Sequence, residues 1–274
     1  MPELPEVETI KRDLVRVLPG LVIERLEILD QRVIGGRGAQ DFGERLLRRT
    51  ILQVDRQGKA VICTLNNGTH WIVQPKMTGQ LIFCAAGKKC PVVKETKVIV
   101  HFSSGSCLLY NDQRLFGRLT VVDSLSESPF LSQLGPDPLS KEFTQPWLYQ
   151  ALAGRVSPIK SLLMNQNFVA GIGNIYASEI LFRSRIHPRR RARRLSLKET
   201  QRLFKETVAV LKQAIDYRGT STRNYRDSRG KKGGYSAHLK VYGRHEKKCL
   251  SCGTRICRIV QGQRSTFFCP QCQR

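Results

Sequence analysis

Pro2 and Glu3, next to the N-terminus, are of residue types that could together do covalent chemistry. Initiator methionine is normally removed before a small residue such as proline, and its removal would leave Pro2 as a terminal secondary amine. Such an amine is a nucleophile that can form an iminium with the aldehyde carbon of a sugar. An α-amino group titrates near pH ~8, so a fraction of it is neutral at physiological pH. Glu3 could then act as the acid or base partner, which predicts covalent catalysis at the N-terminus.

The same residues also suit an ordinary helix start. Pro5 is typical of a first helical turn, and Glu3, Glu6 and Glu8 would lie near the positive end of the helix dipole. Taken alone, the first nine residues leave the catalytic and the purely structural interpretations open.

Four cysteines near the C-terminus have the spacing of a zinc ribbon. Cys249 and Cys252 form one Cys-x-x-Cys pair, and after sixteen intervening residues Cys269 and Cys272 form the second. Each pair places two thiolates on one tight turn, and the two pairs complete a tetrahedral site. Because sulfur fills all four positions, we expect one structural Zn²⁺ per chain; a redox pair is the alternative.

The other five cysteines show no such pairing. The total of nine is odd, which argues against a complete disulfide framework. We interpret the five as small core residues or incidental thiols; they are Cys63, Cys84, Cys90, Cys107 and Cys257.

The chain is strongly basic. Its 274 residues include 46 Lys and Arg against 22 Asp and Glu, for a net charge of +24, while 41% of them are hydrophobic. A folded protein this basic is expected to bind a polyanion, with nucleic acid as the first choice and an anionic membrane surface as the alternative. No apolar run approaches the ~20 residues of a membrane span, and no signal pattern is found at the N-terminus. We therefore expect a location in the cytoplasm or nucleoid.

The apolar pattern changes along the first part of the chain. Leu4, Val7 and Ile10 have helical spacing, whereas residues 21–123 consist of short β-rich runs separated by Gly, Asn and Asp. The first domain, residues 1–123, is therefore predicted to be a β-sandwich with an N-terminal helix.

The remainder is mostly helical after a Ser- and Pro-rich linker at 124–144. Residues 145–238 form the second domain and 239–274 the zinc ribbon, so the predicted fold class is α+β with several domains. Residues 218–238, rich in Gly, Arg, Lys and Ser, indicate a long mobile loop. Helical spacing occurs at about 145–153, 158–165, 174–184 and 196–217.

Three further residues could bind phosphate. Lys59 follows a glycine turn and opens a predicted strand, and Arg264 lies between the cysteine pairs, where a hairpin would expose it. Asn174 follows Gly171-Ile172-Gly173 and could cap the helix that begins there. Each is a weak indication alone, because a strand lysine, a surface arginine and a Gly-x-Gly turn are all common.

Together these features resemble the formamidopyrimidine-DNA glycosylase family of bacterial base-excision repair enzymes. The run Pro2–Thr9, the loop Asp112–Gly117, the stretch Gly171–Glu179, the segment Val241–Arg244 and the four-cysteine ribbon each resemble a motif of that family. They occur in the family's order, from the first residues to the last.

The resemblance implies a bifunctional DNA glycosylase with lyase activity at abasic sites, acting on 8-oxoguanine and formamidopyrimidines. The damaged nucleotide would be flipped out of the duplex into a pocket between the two domains. The Pro2 nitrogen would attack C1′ as the base leaves, with Glu3 as acid or base in opening the sugar. The iminium would then undergo β- and δ-elimination, with Lys59 and Arg264 as candidate proton-transfer residues.

A phosphate clamp at the lesion is also implied by the resemblance. Its members would be Lys59, Asn174, Tyr242 and Arg264, and Arg155 would be a further basic DNA contact.

Three side chains are implied to fill the gap that the flipped base leaves. Met77 and Phe116 are apolar wedges, and Arg114 can hydrogen-bond the orphaned cytosine. Without the resemblance, Met77 and Phe116 would be interpreted as ordinary core residues. Backbone amides of the loop, especially Thr220–Tyr225, would cap the flipped base.

Two positions depart from the family pattern. Gln74-Pro75 stands where the family usually has His-Leu, and Glu95 with Lys97 stands where a His-x-His pair is expected. Gln keeps a hydrogen-bond donor but loses the titratable cation, and Glu would repel a phosphate. We expect these DNA-facing positions, Gln74 and Glu95, to alter local affinity without affecting Pro2 or Glu3.

Two alternative functions are compatible with part of this pattern. The sister class that removes oxidised pyrimidines typically has Gly where this chain has Leu4, so the purine class is favoured. A non-catalytic zinc-ribbon DNA-binding protein would leave Glu3 and Lys59 unexplained. The expected partner is duplex DNA containing an oxidised purine, with no membrane, and the protein is expected to be a monomer.

Overall fold

The computed structural model describes residues 2–222 and 224–274. The chain divides into two compact units. The first comprises residues 1–132 and 217–236, and the second comprises 133–216 and 237–274. The first boundary lies inside the predicted linker, and most of the segment predicted as a loop of the second domain belongs to the first unit.

Apart from short 3-10 turns, the described part of the first unit is built from two α-helices and eight strands. They are α1 (Leu4–Leu14), β1 (Ile23–Ile28), α2 (Ala39–Leu46), β2 (Ile51–Gln57), β3 (Ala60–Leu65), β4 (His70–Gln74), β5 (Gln80–Cys84), β6 (Thr96–Phe102), β7 (Cys107–Asn111) and β8 (Arg118–Val122).

The strands form two antiparallel four-stranded sheets, with orders β1-β6-β7-β5 and β2-β3-β4-β8. One buried cluster joins side chains of both sheets, such as Val61 and Val100, which confirms the predicted β-sandwich. Side chains of a strand alternate between its two faces. On β7, Leu108 and Tyr110 accordingly join this core, whereas Leu109 belongs to a second, smaller cluster.

Helix α1 is buried in the sandwich core. Val7, Ile10 and Leu14, at helical spacing, are fully buried against both sheets. Their apolar surface stabilises the docked helix by about 1.5–3 kcal/mol per side chain. Because α1 also buries Glu6 and Asp13, each of these carboxylates needs a polar partner.

The described part of the second unit is helical with a two-stranded hairpin, as predicted. Its elements are α3 (Gln145–Leu152), α4 (Ile159–Met164), α5 (Asn174–Arg183), α6 (Leu197–Asp216), β9 (Cys257–Gln261) and β10 (Arg264–Phe268). Within the described ranges, no helix has both the length and the apolar character needed to cross a membrane.

Two local predictions were wrong. Cys90 and Cys107, interpreted as unpaired, form a disulfide, because the β5–β6 connection folds back over the start of β7. Helix α2 interrupts the stretch predicted as β-rich. Phe42 and Leu46, one helical turn apart, are its buried residues.

Segment 217–236 is irregular but packed, which does not support the predicted long mobile loop. Among its described residues, Thr220, Tyr225, Asp227 and Ser228 are buried. Arg223 lies outside the described residues.

An ion pair joins α1 to the β2–β3 hairpin. The Arg56 Nε donates to Glu8 Oε2 at 2.9 Å, and Arg56 Nη1 donates to the carbonyl of Gly58 at 2.9 Å. Both charged side chains are about nine-tenths buried. Burial alone would raise the pKa of Glu8, but hydrogen bonds from Arg56 and Arg12 and the charges of Arg56 and Lys11 together lower it.

The substitution Glu8→Gln should therefore destabilise the protein in a pH-dependent way. At neutral pH we expect the free energy of unfolding to fall by about 2 kcal/mol, because a charge-assisted hydrogen bond is lost. Since the folded pKa lies below the ordinary 4.5, the contribution of Glu8 is present above that value and lost as the pH falls through the folded pKa. Urea unfolding of both proteins at several pH values measures this difference.

The exposed Glu44 on α2 offers a matched control, and Glu44→Gln should change stability by less than about 0.5 kcal/mol. A constant difference between wild type and Glu8→Gln from neutral to strongly acidic pH would contradict the assignment.

Candidate active site and nucleic-acid interface

Pro2 and Glu3 lie immediately before α1, and both are buried. Glu3 is the N-cap of the helix and forms a capping box with Glu6. The Glu3 backbone N–H donates to Glu6 Oε2 at 2.7 Å. The helix start and the candidate chemistry are therefore compatible, because the capping box fixes the backbone that holds both residues.

The second oxygen of Glu6 binds the distant segment 217–236. The backbone N–H of Thr220 donates to Glu6 Oε1 at 2.6 Å, and the Tyr225 hydroxyl donates to the Glu6 carbonyl at 3.4 Å. One fully buried carboxylate thus holds the N-terminus and this segment together. The Thr220 amide is consequently already engaged, whereas the resemblance implied that amides of 220–225 cap a base.

A second anchor joins the same segment to the other end of α1. Arg218 Nη2 donates to Asp13 Oδ2 at 2.5 Å, and Arg218 Nε donates to Asp227 Oδ2 at 2.8 Å. Ser228 Oγ donates to Asp13 Oδ2 at 3.0 Å. Asp13 and Asp227 are buried, and Arg218 pairs with both, so one arginine of the segment satisfies a carboxylate of α1 and one of its own segment.

Lys59 lies in the two-residue turn between β2 and β3 and is half-buried. The preceding Gly58 has φ of 52°, a conformation that glycine adopts at low cost. The Arg56 contacts with Glu8 and Gly58 hold this turn against α1, the helix that also positions Pro2 and Glu3.

The structure brings Met77, Arg114 and Phe116 together. Arg114 Nη1 lies 3.4 Å from Met77 Sδ, and the Arg114 guanidinium carbon lies 4.5 Å from the centre of the Phe116 ring. The Phe116 side chain is 48% exposed, so it is not an ordinary core residue. An exposed cluster of this composition is available to contact a large ligand.

Asp112 organises the loop that presents Arg114 and Phe116. Its fully buried carboxylate accepts hydrogen bonds from the backbone N–H of Gly117 at 2.8 Å and of Arg114 at 3.2 Å. Any other residue at position 117 would clash with its surroundings, because a Cβ there would lie 1.6 Å from the Tyr110 hydroxyl. These packing constraints explain the first and last residues of the Asp-x-Arg-x-Phe-Gly sequence.

The two departures, Gln74 and Glu95, have different surroundings. Gln74 is buried at the end of β4, paired with Arg118 of β8. Glu95 is half-buried, and its carbonyl accepts the N–H of Asp112 at 2.8 Å. Its side chain lines a cavity of about 300 Å³ in the first unit. The other lining residues are Thr78, Gln80, Val93, Asn111, Gln113, Asn224 and Arg226.

In the second unit, a buried lysine that sequence reasoning missed holds Asn174. Lys160, 1% exposed on α4, donates through Nζ to Asn174 Oδ1 at 2.5 Å and to Thr266 Oγ1 at 2.8 Å. Asn174 Nδ2 in turn donates to the carbonyl of Ser265 at 2.9 Å. The sequence offered one signal, a lysine in a short helix whose other residues, apart from Ser161, are apolar.

The predicted capping role of Asn174 was wrong. Gly173 is the N-cap of α5, and Asn174 is the first helical residue. Its side chain is engaged with Lys160 and Ser265, so the tertiary contacts take precedence over a local cap.

Tyr242 is positioned by a second residue that sequence reasoning missed, Glu179 on α5. The Glu179 carboxylate accepts backbone N–H bonds from Lys240 at 2.8 Å, Val241 at 3.0 Å and Tyr242 at 2.8 Å. Burial raises the pKa of Glu179, and the three backbone N–H groups act in the opposite direction. The Tyr242 ring also packs edge-on against Phe267 of β10, with centres 5.2 Å apart.

Arg264 and Arg155 are both exposed in the second unit. Arg264 is the first residue of β10, directly after the Gly262-Gln263 turn, whose residues both have positive φ. Arg155 follows α3, near its C-terminal end.

The four ribbon cysteines converge as predicted. Their sulfur atoms all lie within 4.8 Å of one another, with Cys249 and Cys272 3.9 Å apart and Cys252 and Cys269 3.5 Å apart. Four sulfurs at about 2.3 Å from one Zn²⁺ would lie close to ~3.8 Å apart, so the donor set fits zinc. Hydrogen bonds from Thr254 lower the pKa of Cys252 to about 6, which favours its thiolate.

Three family models match the chain. The formamidopyrimidine-DNA glycosylase N-terminal domain matches residues 1–119, and the formamidopyrimidine-DNA glycosylase H2TH domain matches residues 134–226. A zinc finger found in FPG and IleRS matches residues 246–274.

Similar proteins and structures agree with these matches. The chain is 41% identical to a formamidopyrimidine-DNA glycosylase of Pelotomaculum thermopropionicum, over 100% of this chain and 99% of that protein. It is 40% identical to that of Herpetosiphon aurantiacus, over the full length of both.

Solved structures show the same fold. The Lactococcus lactis Fpg in complex with DNA containing an abasic site has a TM-score of 0.91 at 30% identity, over 99% of each chain. The MutM (Fpg) protein of Thermus thermophilus has a TM-score of 0.88 at 35% identity, over 99% of this chain and 98% of that one.

The substitution Glu179→Gln should release the segment that contains Tyr242. The amide oxygen can keep two of the three hydrogen bonds, but its NH₂ group faces the Lys240 N–H, so we expect a loss of roughly 1–3 kcal/mol in unfolding free energy. Backbone hydrogen exchange at residues 240–242 should become faster, and mass spectrometry of the peptides measures it.

A suitable control is Glu206→Gln on α6, whose carboxylate forms a partly buried pair with Arg183 in the same unit. That substitution should cost less than about 1 kcal/mol and leave exchange at 240–242 unchanged. Equal exchange in Glu179→Gln and wild type would refute the positioning role.

Proposed function

This chain belongs to the formamidopyrimidine-DNA glycosylase family, and we propose that it is a bifunctional glycosylase and lyase that excises oxidised purines from duplex DNA. Membership makes it a DNA-binding glycosylase of DNA repair. The lyase chemistry, the lesions and the roles of individual residues are the proposal.

The main support for covalent chemistry is the buried placement of Pro2 and Glu3 at the start of α1. Met1 lies outside the described residues, and its removal would make the Pro2 nitrogen a secondary amine. That nitrogen attacks C1′ of the damaged nucleotide, and the bond from C1′ to the base breaks as the C1′–nitrogen bond forms. The leaving base takes up a proton.

Glu3 then assists opening of the sugar ring. Proton transfer to the ring oxygen allows the Pro2 nitrogen to form an iminium with C1′. Because the iminium withdraws electrons, a proton on C2′ becomes acidic. Removal of this C2′ proton expels the 3′ phosphate by β-elimination, and a second elimination, the δ-elimination, expels the 5′ phosphate. Lys59 and Arg264 are the candidate proton-transfer groups.

The candidate phosphate-binding residues are consistent with DNA as the polyanion. Lys59, Asn174, Tyr242, Arg264 and Arg155 each present a donor, and the net charge of +24 supplies a general attraction. The buried bonds of Lys160 and Glu179 hold Asn174 and Tyr242 without using surface charge. Such preorganisation reduces the entropy lost on binding.

The Met77, Arg114 and Phe116 cluster would fill the space that a flipped nucleotide leaves. Arg114 can hydrogen-bond the unpaired base opposite, whereas Met77 and Phe116 supply apolar surface for stacking. The cavity of about 300 Å³ is lined by a hydroxyl residue, Thr78, and by amide residues such as Asn111 and Gln113. Such groups can hydrogen-bond the edges of a base.

Lesion choice has mixed support among the similar structures. Lactococcus lactis Fpg structures have been solved with DNA containing Fapy-dG and with DNA containing an oxidised pyrimidine. Leu4, where the pyrimidine-specific sister class typically has glycine, supports oxidised purines as the main substrates here. The assay should therefore compare both lesion classes.

Zinc at the four ribbon cysteines would be structural, one ion per chain, because all four ligands are protein sulfurs. When bound, it would fix the hairpin that presents Arg264. We place the enzyme at the nucleoid, acting as a monomer.

Borohydride trapping on a duplex with 8-oxoguanine opposite cytosine tests the chemistry. Reduction should give a covalent adduct that mass spectrometry maps to the Pro2 nitrogen, and without borohydride the strand should be cleaved. Pro2→Gly should lower excision by about 100-fold or more while lesion binding persists. Pro5→Ala, three residues away in α1, is the control and should still form the adduct.

An adduct on any other residue would exclude the proposed nucleophile. Tight lesion binding without an adduct, in protein with a confirmed Pro2 terminus, would instead indicate a binding protein.

The salt dependence of binding to undamaged duplex tests the phosphate contacts separately. Arg264→Ala should reduce the slope of log K against log salt concentration by about one unit. Arg255→Ala, an exposed arginine of the same ribbon, should leave the slope close to wild type. Identical slopes for the two variants would remove Arg264 from the clamp.

A further inference from the structure

A second group of cysteines lies far along the chain from the zinc ribbon. The sulfur atoms of Cys84, Cys90 and Cys107 all lie within 4.8 Å of one another, and Cys90 is bonded to Cys107. Neither the family matches nor the proposed chemistry gives these residues a role.

The sandwich fixes two of the three sulfurs. Cys84, at the end of β5, is directly paired with Cys107, at the start of β7, so both side chains lie on the same face of the sheet. Both are buried in the smaller apolar cluster with Ile82 and Leu109. Cys90 comes from the β5–β6 connection and is half-buried, so it is the member that solvent and small thiols can reach.

The chemical setting of the chain favours a reversible bond. The other seven cysteines, all within the described residues, are free thiols. Four of them form the ribbon, which can bind zinc only while reduced. Reducing conditions are therefore needed for the ribbon cysteines to bind zinc. Under reducing conditions, an isolated disulfide is typically redox-responsive.

The bond restrains a segment that touches functional residues. It attaches residues 85–95 to the sheet, and Glu95 at the end of that segment accepts the Asp112 N–H at 2.8 Å. Asp112 in turn holds the backbone of Arg114. Val93 and Glu95 also line the cavity of about 300 Å³.

We propose that Cys84, Cys90 and Cys107 form a thiol–disulfide exchange site that tethers residues 85–95 when oxidised. The oxidant is a low-molecular-weight disulfide. The Cys90 thiolate attacks it, which forms a mixed disulfide and releases one small thiol. The Cys107 thiolate then displaces the second small thiol. Two protein thiols are oxidised by two electrons, and one small disulfide is reduced to two thiols.

Cys84 is the third thiol of the exchange. Because its sulfur lies within reach of both partners, it can attack the Cys90–Cys107 bond and release one of the two thiols. Burial raises the pKa of the Cys84 thiol, which disfavours its thiolate and slows this step.

The zinc-loaded full-length protein should be titrated with mixtures of reduced and oxidised glutathione, then alkylated and digested. We expect a single transition in which Cys90 and Cys107 lose alkylation together and appear as one cross-linked peptide. In Cys107→Ser, a Cys84–Cys90 cross-link should replace it. Cys257→Ser, which removes a thiol outside the group, should titrate like wild type.

Hydrogen exchange measures the tether. The amide of Asp112 and those of residues 85–90 and 92–95 should exchange roughly ten times faster in reduced than in oxidised wild type. Cys90→Ser should exchange at the faster rate under both conditions, which separates loss of the tether from general destabilisation.

Three results would overturn the exchange site. Cys90 could remain fully alkylated across the titration, or oxidation could leave exchange at Asp112 unchanged. Alternatively, the reduced protein could contain two zinc ions per chain, of which Cys90→Ser loses one, and this would establish a metal site instead. Zinc analysis of wild type and Cys90→Ser distinguishes that case, because the ribbon accounts for only one ion.

Discussion

The buried carboxylate of Glu6 is the contact on which the candidate active site depends. One oxygen accepts the N–H of Glu3 and the other accepts the N–H of Thr220, so a single side chain joins the N-terminus to a segment more than 200 residues away. A carboxylate without exposure to water must have such partners, because an unpaired buried charge is very costly. The same requirement that stabilises α1 therefore fixes where Pro2 and Glu3 lie.

This use of buried polar groups recurs in both units. Glu8 holds the turn that presents Lys59, Asp112 holds the loop that presents Arg114, and Glu179 holds the irregular segment that presents Tyr242. In each case the candidate DNA-contacting residue lies in a turn or loop, which has little packing of its own. A buried carboxylate that accepts backbone or arginine N–H groups gives these irregular segments defined positions.

The same arrangement contributes to the charge pattern of the protein. Acidic side chains such as Asp13, Glu8 and Asp227 are used internally and paired with arginine, whereas basic residues such as Arg155 and Arg264 remain exposed. Because the acids are outnumbered and several are buried, the surplus of positive charge is left at the surface. This is the distribution that a DNA-binding protein requires.

Local patterns in the sequence were sufficient for the fold class, the main helices and the ribbon cysteines. The alternation of apolar and polar residues, helical spacing and Cys-x-x-Cys pairs each involve residues that are close in sequence. They can therefore be recognised from the sequence alone. The resemblance supplied the proposed roles of Pro2, Glu3 and the exposed cluster around Arg114. Lys160, Glu179 and the Cys90–Cys107 bond were not predicted, and Asn174 was assigned to the wrong local contact. Lys160 bonds Asn174, 14 residues away in sequence, and Thr266, 106 residues away, and the two cysteines of the disulfide are 17 residues apart. Only the tertiary structure decides such contacts, because a buried polar side chain takes whichever partner the packing of distant segments places beside it.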